Sequence, residues 1–217
     1  NLWEKLTAMP NVVFYSKVDE ANDANQSVEI SNNTIDCDNL TQISSGVPTT
    51  FKSVKITKNV IDFLNQLHNV SGTTIIGYTF SNNTVKGSAN MIGTTAGITT
   101  LTFENNRFEK TVGSGISLKA ANIKFNKNVF VEDKRYIGAS VYVDFGVTLS
   151  PTLYCCILTN SSLGTITVDS NRFILSQSRL GCLRIETSTG VTLSNNMFTL
   201  IIPSYQTLTS YTSRIAV

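Results

Sequence analysis

The sequence predicts an all-β solenoid, a chain wound into stacked coils. Three observations predict it. An eight-residue pattern recurs eight times, over Val28 to Ile35, Val54 to Ile61, Tyr78 to Val85, Leu101 to Phe108, Ile123 to Phe130, Val147 to Tyr154, Ile166 to Phe173 and Val191 to Phe198. Each copy reads large-apolar, x, large-apolar, x, x, Asn, x, large-apolar. The central residue is Asn33, Asn59, Asn83, Asn106, Asn128, Asn171 and Asn196, with Thr152 in the sixth copy, at steps of 26, 24, 23, 22, 24, 19 and 25 residues. A recurring period of this size marks a stacked-repeat architecture. Finally, the apolar residues five and three places before the Asn alternate with polar ones, which is strand periodicity.

The residue two places after the Asn is again apolar in every copy, from Ile35 to Phe198. The chain therefore bends at the Asn and points a side chain inward on both sides of it. Asn suits such a bend because it tolerates the left-handed backbone conformation and its amide both donates and accepts. Placed at one point in each coil, the amides bond to one another along the stack, as Asn ladders do in other stacked-strand assemblies. Asn33, Asn59, Asn83, Asn106, Asn128, Thr152, Asn171 and Asn196 are the expected ladder.

A second strand precedes most copies, most clearly in Gly115 to Lys119, Ser140 to Asp144 and Cys182 to Glu186. Two strands and a short third make one coil of about two dozen residues. At the strand spacing of about 4.8 Å, eight coils make a rod on the order of 35 Å long.

These repeats resemble the right-handed parallel β-helix of the pectate-lyase-like superfamily, over about residues 28 to 200. The resemblance implies an all-β, right-handed parallel β-helix of about eight or nine coils with an internal Asn ladder. The superfamily spans polysaccharide lyases, glycoside hydrolases, phage tailspikes and non-catalytic adhesins, so the fold alone does not choose among them.

Taken in order, residues 1–27 form an N-terminal cap or partial first coil, 28–200 the β-helix, and 201–217 a tail or the start of a further coil. Leu2, Trp3, Leu6 and Met9 have rough helical spacing before Pro10, and a helix there would cap the stack. Val12 to Tyr15 reads as a strand. Residues 37–53 and 62–77 read as longer loops, with Ser45-Gly46-Val47-Pro48 and Ser71-Gly72 as turn signals. They hold the single histidine, His68, read as a surface or packing residue. Glu109, Lys110, Glu132, Asp133, Lys134 and Arg135 fall on loops between coils and read as solvated charge.

Composition narrows the function. Charged residues are 15% and the net charge is +2, with no basic block, so nucleic acid is not an expected partner. No apolar run approaches the 18 or more residues of a membrane span. There is no signal peptide and no initiator Met, so we expect a piece of a longer protein. Low charge with many small polar residues suits an extracellular or virion-surface rod. Of the cysteines, Cys155 and Cys156 precede the seventh copy, and Cys182 lies at nearly the same place before the eighth. The expected state is reduced, as small buried hydrophobes, with a disulfide from Cys182 to one of the pair as the alternative. Spacing matches no metal site.

In superfamily enzymes, outward side chains of the sheet before the short turn carry the chemistry. Here that sheet would present Lys119, Tyr142, Asp144, Arg184 and Glu186. A lyase needs a base and a cation or Ca²⁺ to stabilise an enolate, and Lys119 or Arg184 fits either role. Ca²⁺ enters only under that alternative; otherwise no cofactor is expected. A hydrolase needs two carboxylates at a defined separation, and Asp144 and Glu186 are the only pair on this face. The chain lacks the paired-Asp and Gly-His-Gly motifs of polygalacturonase-like hydrolases and the clustered acids of Ca²⁺-dependent lyases. The leading expectation is therefore a non-catalytic rod recognising a glycan or receptor through neutral outward residues such as Gln42, Gln66, Asn90, Ser117 and Tyr142. A polysaccharide lyase or glycoside hydrolase using Lys119, Asp144, Arg184 and Glu186 is the alternative. A structural virion component, buried against neighbours in a homotrimer or larger assembly, is the third.

Overall fold

A computed structural model describes residues 13–15, 27–44, 49–69, 73–86, 92–93, 97–109, 116–131, 154–160, 164–176, 181–186 and 190–201. Every regular element among them is a strand: β1 (Val13–Tyr15), β2 (Ser27–Ser31), β3 (Thr34–Ser44), β4 (Thr49–Thr57), β5 (Val60–Asn69), β6 (Thr73–Ser81), β7 (Thr84–Val85), β8 (Ile92–Gly93), β9 (Gly97–Glu104), β10 (Arg107–Glu109), β11 (Ile116–Ala120), β12 (Asn122–Asn126), β13 (Val129–Val131), β14 (Tyr154–Asn160), β15 (Ile166–Asp169), β16 (Arg172–Ser176), β17 (Gly181–Glu186), β18 (Val191–Ser194) and β19 (Met197–Ile201). No helix among the described residues is long and apolar enough to cross a membrane.

The strands pair in parallel and form three sheets. Sheet I runs β18-β15-β12-β9-β6-β4-β2 and holds the strands before each Asn. Sheet II runs β1-β3-β5-β7-β10-β13-β16-β19 and holds the strands after it. Sheet III runs β17-β14-β11-β8. Among the described residues, four turns carry a strand in all three sheets, and the three coils before them carry two. This replaces the expected eight or nine coils. Seven strands in sheet I span about 29 Å at the usual spacing.

The register follows the repeat. Val28, Val54, Tyr78, Leu101, Ile123, Ile166 and Val191 face one another along sheet I. Ile35, Ile61, Val85, Phe108, Phe130, Phe173 and Phe198 do so along sheet II. A one-residue slip would turn every apolar side chain outward, so the pattern itself fixes the pairing. The interior is a column of rings. Phe108, Phe130, Phe173 and Phe198 stack at centroid distances of 5.0, 4.9 and 5.1 Å. Phe80, Phe103 and Phe125 stack beside them at 5.0 and 5.4 Å. Each such contact adds about 0.5–1.5 kcal/mol to simple burial.

The Asn ladder is present and is completely bonded inside the stack. Asn106 is typical: its backbone N–H and Nδ2 donate to Asn128 Oδ1 at 3.1 and 3.0 Å, and Nδ2 also donates to Phe80 O at 2.8 Å. Its own Oδ1 accepts from Asn83 N–H and Nδ2 at 3.0 and 3.2 Å, and its carbonyl accepts from Val129 N–H at 2.8 Å. The same pattern joins Asn33, Asn59, Asn83, Asn106, Asn128, Asn171 and Asn196. A buried amide left without these partners would cost stability.

Several expectations change. The left-handed residue is the one before the ladder Asn, not the Asn itself: Asn32, Lys58, Asn82, Asn105, Lys127, Ser170 and Asn195 have φ between 53° and 60°. Thr152 lies outside the described residues; Asn128 bonds directly to Asn171, with no described ladder member between them. Tyr154, expected to close that copy, instead opens β14 of sheet III. Residues 37–53 and 62–77 are largely strand, in β3, β4, β5 and β6, rather than loop. Their polar composition concealed them, and pairing of β3 with β5 and β4 with β6 supplies their backbone partners. His68 lies on β5 opposite Thr41.

The strand expected at Val12 to Tyr15 is β1, parallel to the end of β3. The helix expected at Leu2 to Met9, the tail 202–217 and the charged stretch from Glu132 to Arg135 lie outside the described residues. Tyr154 faces Gly181 and Cys156 faces Leu183, so Cys155 and Cys182 sit on neighbouring strands as expected. Cys156 is a buried thiol.

Candidate recognition face

The outer surface of sheet III carries four of the side chains singled out from sequence. On β11, Ile116, Leu118 and Ala120 point into the core, so Ser117 and Lys119 point out. On β17, Leu183 and Ile185 pack against the core, so Arg184 and Glu186 point out. Strand β14 lies between them. Its pairing aligns Ser117 with position 157 and Arg184 along one row, and Lys119 with Thr159 and Glu186 along a second, outward row.

Lys119 and Glu186 are thus two strand spacings apart, about 10 Å. β11 pairs with β8 on one side and with β14 on the side towards β17. Asp144 and Tyr142 lie outside the described residues, as does Asn90. Gln42 and Gln66 lie on β3 and β5 of sheet II, opposite Asn69 and Asn39. The structure therefore brings together Ser117, Lys119, Arg184 and Glu186, and places Gln42 and Gln66 on a different sheet.

Within the face the polar groups bond to one another. Arg184 Nη2 meets Glu186 Oε1 at 2.7 Å. Thr159 Oγ1 donates to Glu186 Oε2 at 3.2 Å. Both carboxylate oxygens of Glu186 are engaged. The ion pair is solvent-exposed and contributes little to stability. Thr159 was missed from sequence. The alternation Cys156-Ile157-Leu158-Thr159 was the available signal, but Ser140 to Asp144 has the same alternation and drew the assignment.

A second polar cluster lies at the bend of sheet I. Asp169 Oδ1 accepts from Ser194 Oγ at 2.6 Å and from Asn195 Nδ2 at 2.9 Å, and Oδ2 accepts from Ser170 Oγ at 2.9 Å. The bond from Ser194, then those from Asn195 and Ser170, and the nearby Lys127 charge hold its carboxyl below the usual value, against a small opposing effect of burial. These bonds link the last two coils. Among the described residues, no three His, Cys, Asp or Glu side chains converge as a metal site would require.

No protein-family model, curated protein or solved structure matches this chain. What is shown is therefore the fold: a parallel β-solenoid with a buried Asn ladder.

Proposed function

We propose that the protein is a display rod, a segment of an extracellular or virion-surface β-helix of the pectate-lyase-like type, that recognises a glycan or receptor through the outer face of sheet III. One observation carries this reading: Glu186, the described carboxylate of the candidate set, has one oxygen on Arg184 and the other on Thr159. A general acid or base needs a carboxylate poised towards the substrate. A carboxylate held by neighbours instead fixes an Arg and a Thr in place, and fixed polar groups suit binding of hydroxyl-rich ligands at low entropic cost. Ser117 and Lys119 extend the same face by two strands.

The test is a glycan-array binding assay, with each bound glycan re-examined for shortening by mass spectrometry. Binding without shortening, weakened by Arg184→Ala and by Lys119→Ala, supports the display rod. Shortening that disappears in Asp144→Asn or Lys119→Ala replaces it with a polysaccharide lyase or hydrolase. Neither binding nor shortening removes the recognition role and leaves a structural virion component.

A further inference from the structure

The described lysines are not spread evenly over the three sheets. They are Lys52, Lys55, Lys58, Lys86, Lys119, Lys124 and Lys127. All but Lys86 and Lys119 belong to sheet I or to its bend, and those five are exposed. Val54, Ile56, Ile123 and Phe125 are buried, so Lys55 on β4 and Lys124 on β12 point outward. They end one register row, Lys55–Thr79–Thr102–Lys124. Lys58 and Lys127 are the left-handed bend residues of the same two coils, with Asn82 and Asn105 at the bends between them. The two rows repeat one motif: a lysine, two neutral polar residues, a lysine. Each spans three strand spacings, about 14 Å.

Charge pairing sets this face apart. On sheet II, Lys86 meets Asp62 at 2.7 Å, and on sheet III, Arg184 meets Glu186 at 2.7 Å. On sheet I, Lys127 meets Glu104 at 3.3 Å. Lys52, Lys55, Lys58 and Lys124 have no carboxylate partner among the described residues. Glu29 lies opposite Lys55 in register without an ion pair. The Asp169 oxygens are taken by Ser194, Asn195 and Ser170.

An ammonium is a hydrated point charge on a flexible stem, so it accepts anions in varied positions. Lys55 and Lys124 are too far apart to converge on one small anion. They suit an extended chain whose negative charges recur along its length. Between them the hydroxyls of Thr79 and Thr102 and the amides of Asn82 and Asn105 offer donors and acceptors to sugar hydroxyls. The aromatic side chains of these strands, Tyr78, Phe80, Phe103 and Phe125, are all buried. Bases of a single-stranded nucleic acid would find no ring to stack on.

We infer that the outer face of sheet I binds a linear anionic polysaccharide, sulfated or carboxylated, laid across β4, β6, β9 and β12 from Lys55 and Lys58 to Lys124. This is a second face, and it does not rest on the recognition reading given for sheet III.

The test is equilibrium binding of the full chain to dextran sulfate, with unmodified dextran as the neutral control. The expected result is binding to dextran sulfate alone, lost as salt rises because exposed charges are screened. Lys55→Gln/Lys124→Gln removes both ends of the row and should weaken binding by about tenfold. Lys86→Gln/Arg172→Gln removes as many charges from sheet II and should leave it unchanged. In the unsubstituted protein, dextran sulfate should protect Lys55 and Lys124 from acetylation but not Lys86, a readout that needs no variant to fold. Absence of binding at low salt overturns the inference. So do equal losses in the two double variants, acetylation of Lys55 and Lys124 that the polymer leaves unchanged, and tighter binding to duplex DNA than to dextran sulfate. The lysines tested lie on a different sheet from Arg184 and Glu186, so none of these outcomes decides glycan binding by sheet III, which the array measures separately.

Discussion

Asn128 donates both its backbone N–H and its side-chain Nδ2 to Oδ1 of Asn171, at 2.9 and 3.0 Å, across 43 residues of chain. Its Nδ2 also reaches Phe103 O at 2.9 Å, and its Oδ1 accepts from Asn106. Asn128→Ala removes all of these at a fully buried site and leaves donors and acceptors with no water to turn to. At roughly 1–3 kcal/mol for each buried group left unpaired, the expected loss is about 3–5 kcal/mol. Asn196→Ala, at the solvent-reached end of the ladder, should cost about 1 kcal/mol. Urea unfolding midpoints of the two variants check the ratio. Equal losses would mean that the ladder does not derive its strength from burial.

Every ladder Asn is preceded by a residue with positive φ, and Lys58, at 58°, is one that has neither the Asn side chain nor the freedom of Gly. An L-residue in this region costs about 1–2 kcal/mol, and Asn relieves part of it by local hydrogen bonding. Lys58→Asn should therefore stabilise by about 0.5–1 kcal/mol, and Lys58→Val should destabilise by about 1–2 kcal/mol, since a β-branched side chain is poorly accommodated there. Thermal melting of the two variants against the parent gives the sign of each.

Gly164 sits where the sixth coil packs on the corner of the fifth. A Cβ there would lie 1.9 Å from Ala121 O and 2.6 Å from Ala121 C, both backbone atoms that cannot swing aside. The neighbouring bonds, Thr165 N–H to Asn122 Oδ1 at 3.1 Å and Ile123 N–H to Thr165 O at 2.9 Å, hold the corner closed. Gly164→Ala should destabilise by about 1–3 kcal/mol as the backbones separate. The measurement is a denaturant midpoint together with hydrogen exchange at Ile123, whose amide should lose protection first.

The Asp169 carboxyl is held below its usual value by hydrogen bonds from Ser194, Asn195 and Ser170, with Lys127 assisting. A depressed carboxylate contributes stability that is fully present above its unfolded-state pKa, near 3.9, and is lost as pH falls through the folded value. The expected outcome is a loss of stability below about pH 4 that is smaller in Asp169→Asn than in the parent. Thermal midpoints measured from neutral to acid pH in both proteins decide it. Parallel curves would mean that these bonds do not favour the ionised form.

Much of this fold was legible in the sequence because the features that specify it are periodic. Val54, Tyr78, Leu101 and Ile123 recur with their partners at fixed offsets from an Asn, and stacking is the arrangement that buries all of them at once. The sixth copy differs in sequence from the rest. Val147, Leu149 and Tyr154 satisfy the apolar pattern, but the pattern does not record the left-handed conformation that precedes each described ladder Asn. The sequence has Pro at 151, a residue type that does not adopt positive φ, and Asn128 bonds directly to Asn171. The candidate face was legible in part. Alternation alone turned Ser117, Lys119, Arg184 and Glu186 outward, but which strand lies between β11 and β17 is a matter of stacking order. Thr159 follows only from that order. Function was the least legible, because neutral polar side chains on a regular sheet carry no spacing rule of the kind a metal site or a nucleophile imposes.

The most direct measurement is a nuclear Overhauser contact map of the Asn side-chain amides in the labelled protein. A stack in which the fifth coil lies on Asn171 predicts a cross-peak between the Asn128 Nδ2 protons and the Asn171 residue, in one unbroken series from Asn33 to Asn196. Cross-peaks joining Asn128 to Thr152, with none to Asn171, would contradict it and restore an eighth coil between them.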